Sequence, residues 1–165
     1  MSLSIPADDL LRWNDTTALH WRDFLLAHPE ILSLPCDVRN SQTVGDLLQH
    51  IVAVELRYAQ RLASLPESPY DDIPHDSPTT IFAVHTIALD FIRPLLADDT
   101  YDWSHTIDFT TISMGHLRST RQTILVHLLM HSIRHYAQLA TLVRANGFTP
   151  TWPMDYLFLD ATPPE

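Results

Sequence analysis

The spacing of apolar residues along the chain predicts four long helices, and the first covers residues 6–28. Pro6 suits the first turn of a helix, and Pro29 ends the segment because proline cannot continue a helix. Residues three or four positions apart form one inward-facing stripe of this helix: Leu10, Leu11, Asn14, Thr17, Ala18, Trp21 and Leu25. We therefore expect an amphipathic helix that packs against others.

The next two helices are predicted over residues 43–64 and from Ser77 onward. The Thr43 hydroxyl and the Asp46 carboxylate, three residues apart, form a weaker version of the capping box. A proline-rich acidic loop separates the two helices. In the third helix Pro94 is expected to kink or end the helix, since it lacks the backbone donor.

Residues 98–118 do not show a helical pattern. The stretch "SHTIDFTTI" alternates like a short strand, but no obvious partner run follows, so we interpret the segment as an extended crossover. The last helix is predicted over residues 119–146, with Ser119 as its N-cap and Gln122 as the capping-box mate. Gly147 suits the left-handed position that follows a helix.

Four long helices without a convincing sheet pattern predict an all-α fold, an antiparallel four-helix bundle. The length of 165 residues and the apolar content of 45% suit one compact domain over residues 1–165. The proline-broken C-terminal tail, from residue 150 on, is expected to be irregular. We expect Trp152, Tyr156 and Leu157 to pack it across the bundle.

Charge and composition narrow the function classes. The net charge is −10 and no run of basic residues occurs, which argues against a nucleic-acid partner. The chain shows no basic leader and no run of about 18 apolar residues, so we expect no membrane association and a cytoplasmic location. Cys36 is the only cysteine, so the chain has no internal disulfide framework. The simplest interpretation of Cys36 is a packing residue.

Histidine is as frequent as lysine and arginine together, at 10 residues. His127, His131 and His135 follow one another at four-residue spacing, so two successive imidazoles can share one metal ion on a helix face. From the first to the third of these residues, the direction in which the side chain leaves the helix rotates by about 80°, so all three rings do not readily bind one ion. A third ligand is therefore expected from a facing helix, where His50 borders the apolar stripe. His127 is expected to pack or hydrogen-bond behind the ligands.

The same spacing leaves a second interpretation open, in which these histidines are hydrogen-bonded core residues. The remaining histidines are scattered over helix ends and loops and are expected at the surface or in caps: His20, His28, His75, His85, His105 and His116.

The helix-two segment "LLQHIVAVELRYAQRL", the last-helix segment "HLLMHSIRHYAQLATLVRANGF" and a tail ending in "DYLFL" resemble the DinB/YfiT-like superfamily. This is the damage-inducible DinB family, not the polymerase of the same name. The family pattern is one histidine in the second helix and an H-x-x-x-H motif in the fourth. These positions match His50, His131 and His135.

The resemblance implies a four-helix bundle that binds a divalent metal, most commonly zinc or nickel, through this triad. It also implies a small-molecule substrate, a low-molecular-weight thiol as cosubstrate and a homodimer. In the family the last ligand is commonly followed by Arg-Gly-Gln, whereas His135 is followed by Tyr136, Ala137 and Gln138. Gln138 is retained and is expected to support the ligands, while Tyr136 stands where the family has its arginine.

A divalent ion held by three neutral imidazoles can activate a thiol or a water molecule at neutral pH. A thiol-dependent transferase or isomerase, a metal-dependent hydrolase and a non-catalytic metal- or ligand-binding stress protein therefore all stay open. Glu55 and Tyr58 are the nearest polar candidates for a general base, although interhelical hydrogen bonding is the simpler interpretation of both. The sequence does not identify the native metal, because imidazole accepts several transition metals.

Overall fold

The computed structural model describes residues 6–111 and 113–163, and they form a mostly helical fold with a small two-stranded sheet. The helices are α1 (Ala7–Ala27), α2 (Val44–Leu62), α3 (Pro78–Ala97) and α4 (Arg121–Ala145). The strands are β1 (Thr106–Thr111) and β2 (Gly115–Thr120). Short 3-10 turns occupy Pro29–Ser33, Val38–Asn40, Tyr70–Asp72 and Tyr156–Leu159.

Local side-chain chemistry fixes where α2 and α3 begin. The Thr43 hydroxyl accepts from the Asp46 backbone N–H at 3.2 Å, and the Asp46 carboxylate accepts from the Thr43 N–H at 2.9 Å, so the predicted capping box is present. Ser77 caps α3 through the same exchange with Thr80. These pairs satisfy backbone donors that a helix start leaves without partners.

The four helices share one apolar core. Helix α2 packs against both α3 and α4, and α1 packs against the same two helices. The fully buried side chains include Trp21 of α1, Leu48 of α2, Ile92 of α3 and Leu128 of α4. Because α2 and α4 are direct neighbours, side chains on their facing surfaces can meet at the same depth.

The segment that precedes α4 forms an antiparallel β-hairpin, so the prediction of an unpaired extended crossover is wrong. Strand β1 pairs with β2 from Thr106 opposite Thr120 to Thr111 opposite Gly115. Strand β2 has the sequence GHLRST, in which leucine is the only large apolar residue, and most of it is exposed. A mostly exposed strand in a two-stranded ribbon does not need an alternating apolar pattern, so the sequence pattern does not indicate strand β2.

The start of α4 also differs from the prediction. Ser119 lies in β2, and Thr120 is the N-cap, accepting from the Thr123 backbone N–H at 3.2 Å. The Gln122 N–H donates to the Trp103 carbonyl at 2.9 Å, so Gln122 is not a capping-box mate. At the other end Gly147 has a φ of +88°, as predicted for the residue after the helix.

Helix α3 continues past Pro94 to Ala97, so Pro94 does not end it. Pro94 is exposed in the last turn, and the Asp90 carbonyl that loses its partner lies on an exposed residue where water can reach it. By length and composition alone α3 is also long and apolar enough to cross a membrane, and 39% of its most apolar window is buried inside the fold.

The C-terminal tail packs along α1. The Trp152 ring lies edge-on to Trp21, with 5.0 Å between ring centroids, and Tyr156 lies edge-on to Trp13 at 5.4 Å. The Trp13 indole N–H donates to the Met154 carbonyl at 3.0 Å. Leu157 is 70% exposed, so its predicted packing role is wrong. The 3-10 turn at Tyr156–Leu159 directs its side chain to solvent.

Candidate metal centre

The facing surfaces of α2 and α4 bring three imidazoles together. His50 comes from the second turn of α2, and His131 and His135 come from consecutive turns of α4. One potential ligand nitrogen of each lies within 4.8 Å of the others. The Nε2 atoms of His50 and His131 are 3.1 Å apart, and the ring centroids of His131 and His135 are 4.5 Å apart. The triad selected from the sequence is therefore one spatial cluster.

The chemistry of this donor set fits a transition-metal ion. Two nitrogens bound to one tetrahedral metal at about 2.0–2.1 Å lie about 3.3 Å from each other, close to the observed His50–His131 separation. Burial lowers the pKa of His50 to about 4 and that of His131 to about 2, and the neighbouring histidines add to both effects. Burial also lowers the pKa of His135. All three rings are thus neutral at neutral pH, the state that binds metal.

Gln138 orients the His135 ring. The amide oxygen Oε1 of Gln138 lies 2.7 Å from His135 Nδ1. An amide oxygen only accepts, so Nδ1 carries the proton and Nε2 keeps its lone pair. In the structure the Arg134 Nη2 lies 3.1 Å from that Nε2 and donates to it. The residue that the family resemblance singled out as a support is therefore in contact with a cluster histidine.

A buried polar network ties all four helices together behind the cluster. The Ser132 hydroxyl of α4 donates to Glu55 Oε1 of α2 at 2.6 Å. His85 Nδ1 of α3 donates to Glu55 Oε2 at 2.7 Å, and His85 Nε2 donates to Asp15 Oδ1 of α1 at 3.2 Å. Ser132 directly follows His131, so this network fixes α4 against α2 at the level of the histidine cluster.

This network changes two predictions from the sequence. His85 was expected at the surface or in a cap, but it is 1% exposed, so that expectation is wrong. The signal for its burial was present, because it lies on the apolar stripe of α3 between Ile81 and Ala88. Glu55 is fully buried with both carboxylate oxygens engaged. The structure therefore places this general-base candidate in a structural network.

His85 is a buried imidazolium between two carboxylates. Burial alone lowers its pKa, but the charges and hydrogen bonds of Glu55 and Asp15 outweigh that effect and raise the pKa to about 9. The hydrogen bond from His85 in turn lowers the pKa of Asp15. Arg93 adds a second ion pair to Asp15 at 2.9 Å. The network is therefore charged at neutral pH.

A cavity of about 800 Å³ opens beside the cluster, with His50 and His131 in its wall. Tyr58 and His127 line the same cavity. The β-hairpin forms part of the wall through residues of its turn and of the strands beside it: Thr110, Thr111, Ser113, Met114 and Leu117. The segment that the sequence pattern predicts as a crossover is therefore a wall of the candidate site.

His127 and Tyr58 lie next to each other on this wall. The His127 ring centroid is 5.4 Å from that of His131 and 5.2 Å from that of Tyr58. Among the contacts of residues 6–111 and 113–163, His127 has no hydrogen bond to His50, His131 or His135. Burial lowers its pKa. His127 thus contacts the cluster by ring packing in this structure. Tyr58, the other general-base candidate, lines the cavity.

The model of the DinB family matches residues 3–165, which is nearly the whole chain. No curated protein shows significant similarity to the sequence.

Proposed function

This chain belongs to the DinB family, and from that premise we propose that it is a divalent-metal-dependent enzyme acting on a small molecule. His50, His131 and His135 are the proposed ligands, and zinc or nickel is the proposed metal. The reaction that we favour is a thiol-dependent transfer or isomerisation. We also infer that the four helices have the antiparallel bundle arrangement of the family, and that the protein is a cytoplasmic homodimer.

The observation that carries this proposal is the convergence of three neutral imidazoles from two helices beside a cavity of about 800 Å³, whose wall includes His50 and His131. Three protein ligands leave a position for an outside ligand, which is typical of catalytic sites, whereas structural sites are closed by four. The cavity gives a small molecule room to reach that position. When bound, a divalent ion would lower the pKa of a thiol or a water molecule toward neutrality.

The chain's own residues have distinct proposed roles. Gln138 holds the proton of His135 on Nδ1 and so directs Nε2 into the cluster. The Ser132–Glu55 hydrogen bond keeps α4 in register with α2. Tyr58 remains the proposed proton-holding group at the cavity. Glu55 cannot exchange a proton with a ligand there, because it is fully buried and both of its oxygens accept hydrogen bonds.

Metal content tests the ligand assignment. We expect about one equivalent of zinc or nickel in protein purified without a nickel column, and we expect the His131→Ala variant to lose it. His116→Ala is the matched control, since His116 is exposed on β2 and belongs neither to the cluster nor to the cavity wall. Full occupancy in His131→Ala would refute the assignment. A metal-free wild type that also fails to take up added zinc would leave the histidines as core residues.

Turnover separates the remaining functions. The metal-loaded protein is incubated with a low-molecular-weight thiol and a panel of small electrophiles, and separately with a panel of esters and amides. Thiol-dependent product formation that disappears in His131→Ala supports the transferase or isomerase. Hydrolysis without a thiol supports the hydrolase instead. Metal binding without turnover in either panel supports a non-catalytic binding protein.

A further inference from the structure

Positive charge is concentrated in the cavity wall, although the chain as a whole has a net charge of −10. The charged lining residues other than histidine are Arg39, Arg57, Arg61, Arg134, Asp46 and Glu67. Four cations and two anions give this wall a charge of 4 − 2 = +2. A positive cavity in an acidic protein favours an anionic occupant, because its walls focus the field on whatever enters.

Two of the four arginines already have partners. Arg57 Nη2 lies 3.1 Å from Glu67 Oε2, and Arg61 Nε lies 2.8 Å from Glu67 Oε1. The other carboxylate of the wall, Asp46, is engaged in the capping box with Thr43. The paired arginines and both carboxylates therefore have structural roles, and they do not account for the excess charge.

Arg39 and Arg134 are the unpaired charges. Neither has a carboxylate within 4.0 Å in the part of the chain that the structure describes. Among the described residues, the one hydrogen-bond partner of the Arg134 side chain is His135 Nε2, at 3.1 Å. A nitrogen lone pair that binds a metal cannot also accept this hydrogen bond, so metal binding by His135 would release the Arg134 guanidinium. Both arginines lie close enough to His50 to lower its pKa.

The backbone at Arg39 is unusual and well anchored. Arg39 and Asn40 have φ values of +58° and +62°, in the left-handed region that a residue such as arginine rarely adopts. The loop that carries them is closed at its base, where Pro35 pairs with Thr43 and the Cys36 N–H donates to the Gln42 carbonyl at 3.0 Å. A costly conformation held by its surroundings is typical of functional positions.

We propose that Arg39 and Arg134 bind the carboxylate of a small-molecule substrate at the cavity beside the three histidines. The planar guanidinium group matches a carboxylate through two parallel hydrogen bonds. This inference rests on the proposed function and names a chemical class for its substrate. The carboxylate belongs either to the thiol or to the molecule that the thiol attacks.

The experiment compares two thiols that differ in their carboxylates. Mercaptosuccinate, 2-mercaptoethanol and succinate are each titrated calorimetrically into the full-length, zinc-loaded protein. The variants are Arg39→Gln and Arg134→Gln. Arg144→Gln is the matched control, because Arg144 also lacks a carboxylate partner among the described residues but does not line the cavity. Zinc content is measured for every variant and is expected to stay unchanged.

We expect each cavity variant to weaken mercaptosuccinate and succinate binding about ten-fold or more, since a charge-assisted hydrogen bond is lost. Binding of 2-mercaptoethanol and all binding by Arg144→Gln should be unchanged. If succinate and 2-mercaptoethanol bind together, the carboxylate belongs to the second substrate. If mercaptosuccinate binds more tightly than succinate and 2-mercaptoethanol and competes with each of them, the carboxylate belongs to the thiol.

Undiminished mercaptosuccinate and succinate binding in both cavity variants, or no binding of either to the wild type, would overturn the proposal. Equal weakening of 2-mercaptoethanol would also overturn it, because the arginines would then act on the thiol position and not on a carboxylate. A protein that takes up no zinc refutes the proposed function alone. In that case succinate titration of the metal-free protein still tests the two arginines.

Discussion

Glu55 Oε2 accepts a hydrogen bond of 2.7 Å from His85 Nδ1 in the interior of the fold, where the two side chains are 0% and 1% exposed. Glu55 belongs to α2, the helix that carries His50, and His85 belongs to α3. The pair therefore fixes α3 against the helix that carries His50. Because both groups are withdrawn from water, each depends on the other for compensation of its charge.

Removal of His85 should destabilise the protein strongly. In His85→Ala the Glu55 carboxylate loses its charged partner while still buried, which typically costs about 3–5 kcal/mol. The measurement is urea unfolding followed by circular dichroism. His116→Ala is the control, since an exposed hairpin residue should change the free energy of unfolding by no more than about 0.5 kcal/mol. A loss below about 1 kcal/mol in His85→Ala would contradict the buried ion pair.

The same pair predicts a fall in stability at alkaline pH. The pKa of His85 is about 9 in the folded protein and 6.5 in the reference state. The folded state thus binds this proton more tightly than the unfolded state does. The protonated His85 therefore adds its full contribution to the free energy of unfolding below pH 6.5, and this contribution is lost as the pH rises through 9. The contribution is on the order of 3 kcal/mol.

Comparison of the wild type with His85→Gln isolates this effect from other titrating groups. The difference in their unfolding free energies should be largest near pH 6 and should shrink toward pH 9.5. A difference that stays constant over this range would mean that His85 is neutral in the folded protein.

The helices and the histidine cluster were predictable because their signals are local. The capping residues Thr43 and Ser77 sit next to the segments that they start. The four-residue spacing of His131 and His135 decides which rings share a face. His50 needed one further step, namely that it lies on the border of the apolar stripe of α2. Each of these predictions used residues within one helix. The only long-range assumption was that the helices pack against each other.

The features that were missed have no distinct pattern in the sequence. Strand β2 carries one large apolar residue, Leu117, so the strand that pairs with β1 has no alternating apolar pattern. His85 carries no mark of its ion pair, because Glu55 lies 30 residues earlier on another helix. Arg39 lines the cavity and has a left-handed backbone, which its residue type does not suggest.

Two glycine substitutions should have opposite outcomes. Gly147 has a φ of +88°, and no atom lies within 4 Å of the place that an alanine Cβ would take, so Gly147→Ala strains only the backbone. It should lower the free energy of unfolding by about 1 kcal/mol. In α2 a Cβ on Gly45 would meet its nearest atom, the Leu32 carbonyl oxygen, at 3.4 Å. Gly45→Ala should therefore be neutral or stabilising by up to about 1 kcal/mol, from helix propensity.

Urea unfolding of both variants at one pH checks this contrast. Equal destabilisation by the two alanines would show that Gly45 is needed for close packing. No loss in Gly147→Ala would show that the end of α4 adjusts without cost.

Gln138 offers the sharpest test of how the cluster is oriented. Its amide oxygen lies 2.7 Å from His135 Nδ1 and fixes the tautomer in which Nε2 carries no proton. Loss of such a supporting hydrogen bond typically reduces metal affinity by 10–100-fold, so Gln138→Leu should weaken zinc binding by about that factor. The measurement is zinc competition against a chromophoric chelator at neutral pH.

Gln138→Glu is the informative partner variant. The glutamate carboxylate also accepts from Nδ1, so this variant should retain tight zinc binding. Gln122→Leu, at the start of α4, should bind as the wild type does. If Gln138→Leu binds zinc as tightly as the wild type, His135 is oriented by its packing alone, and the hydrogen bond has no part in the site.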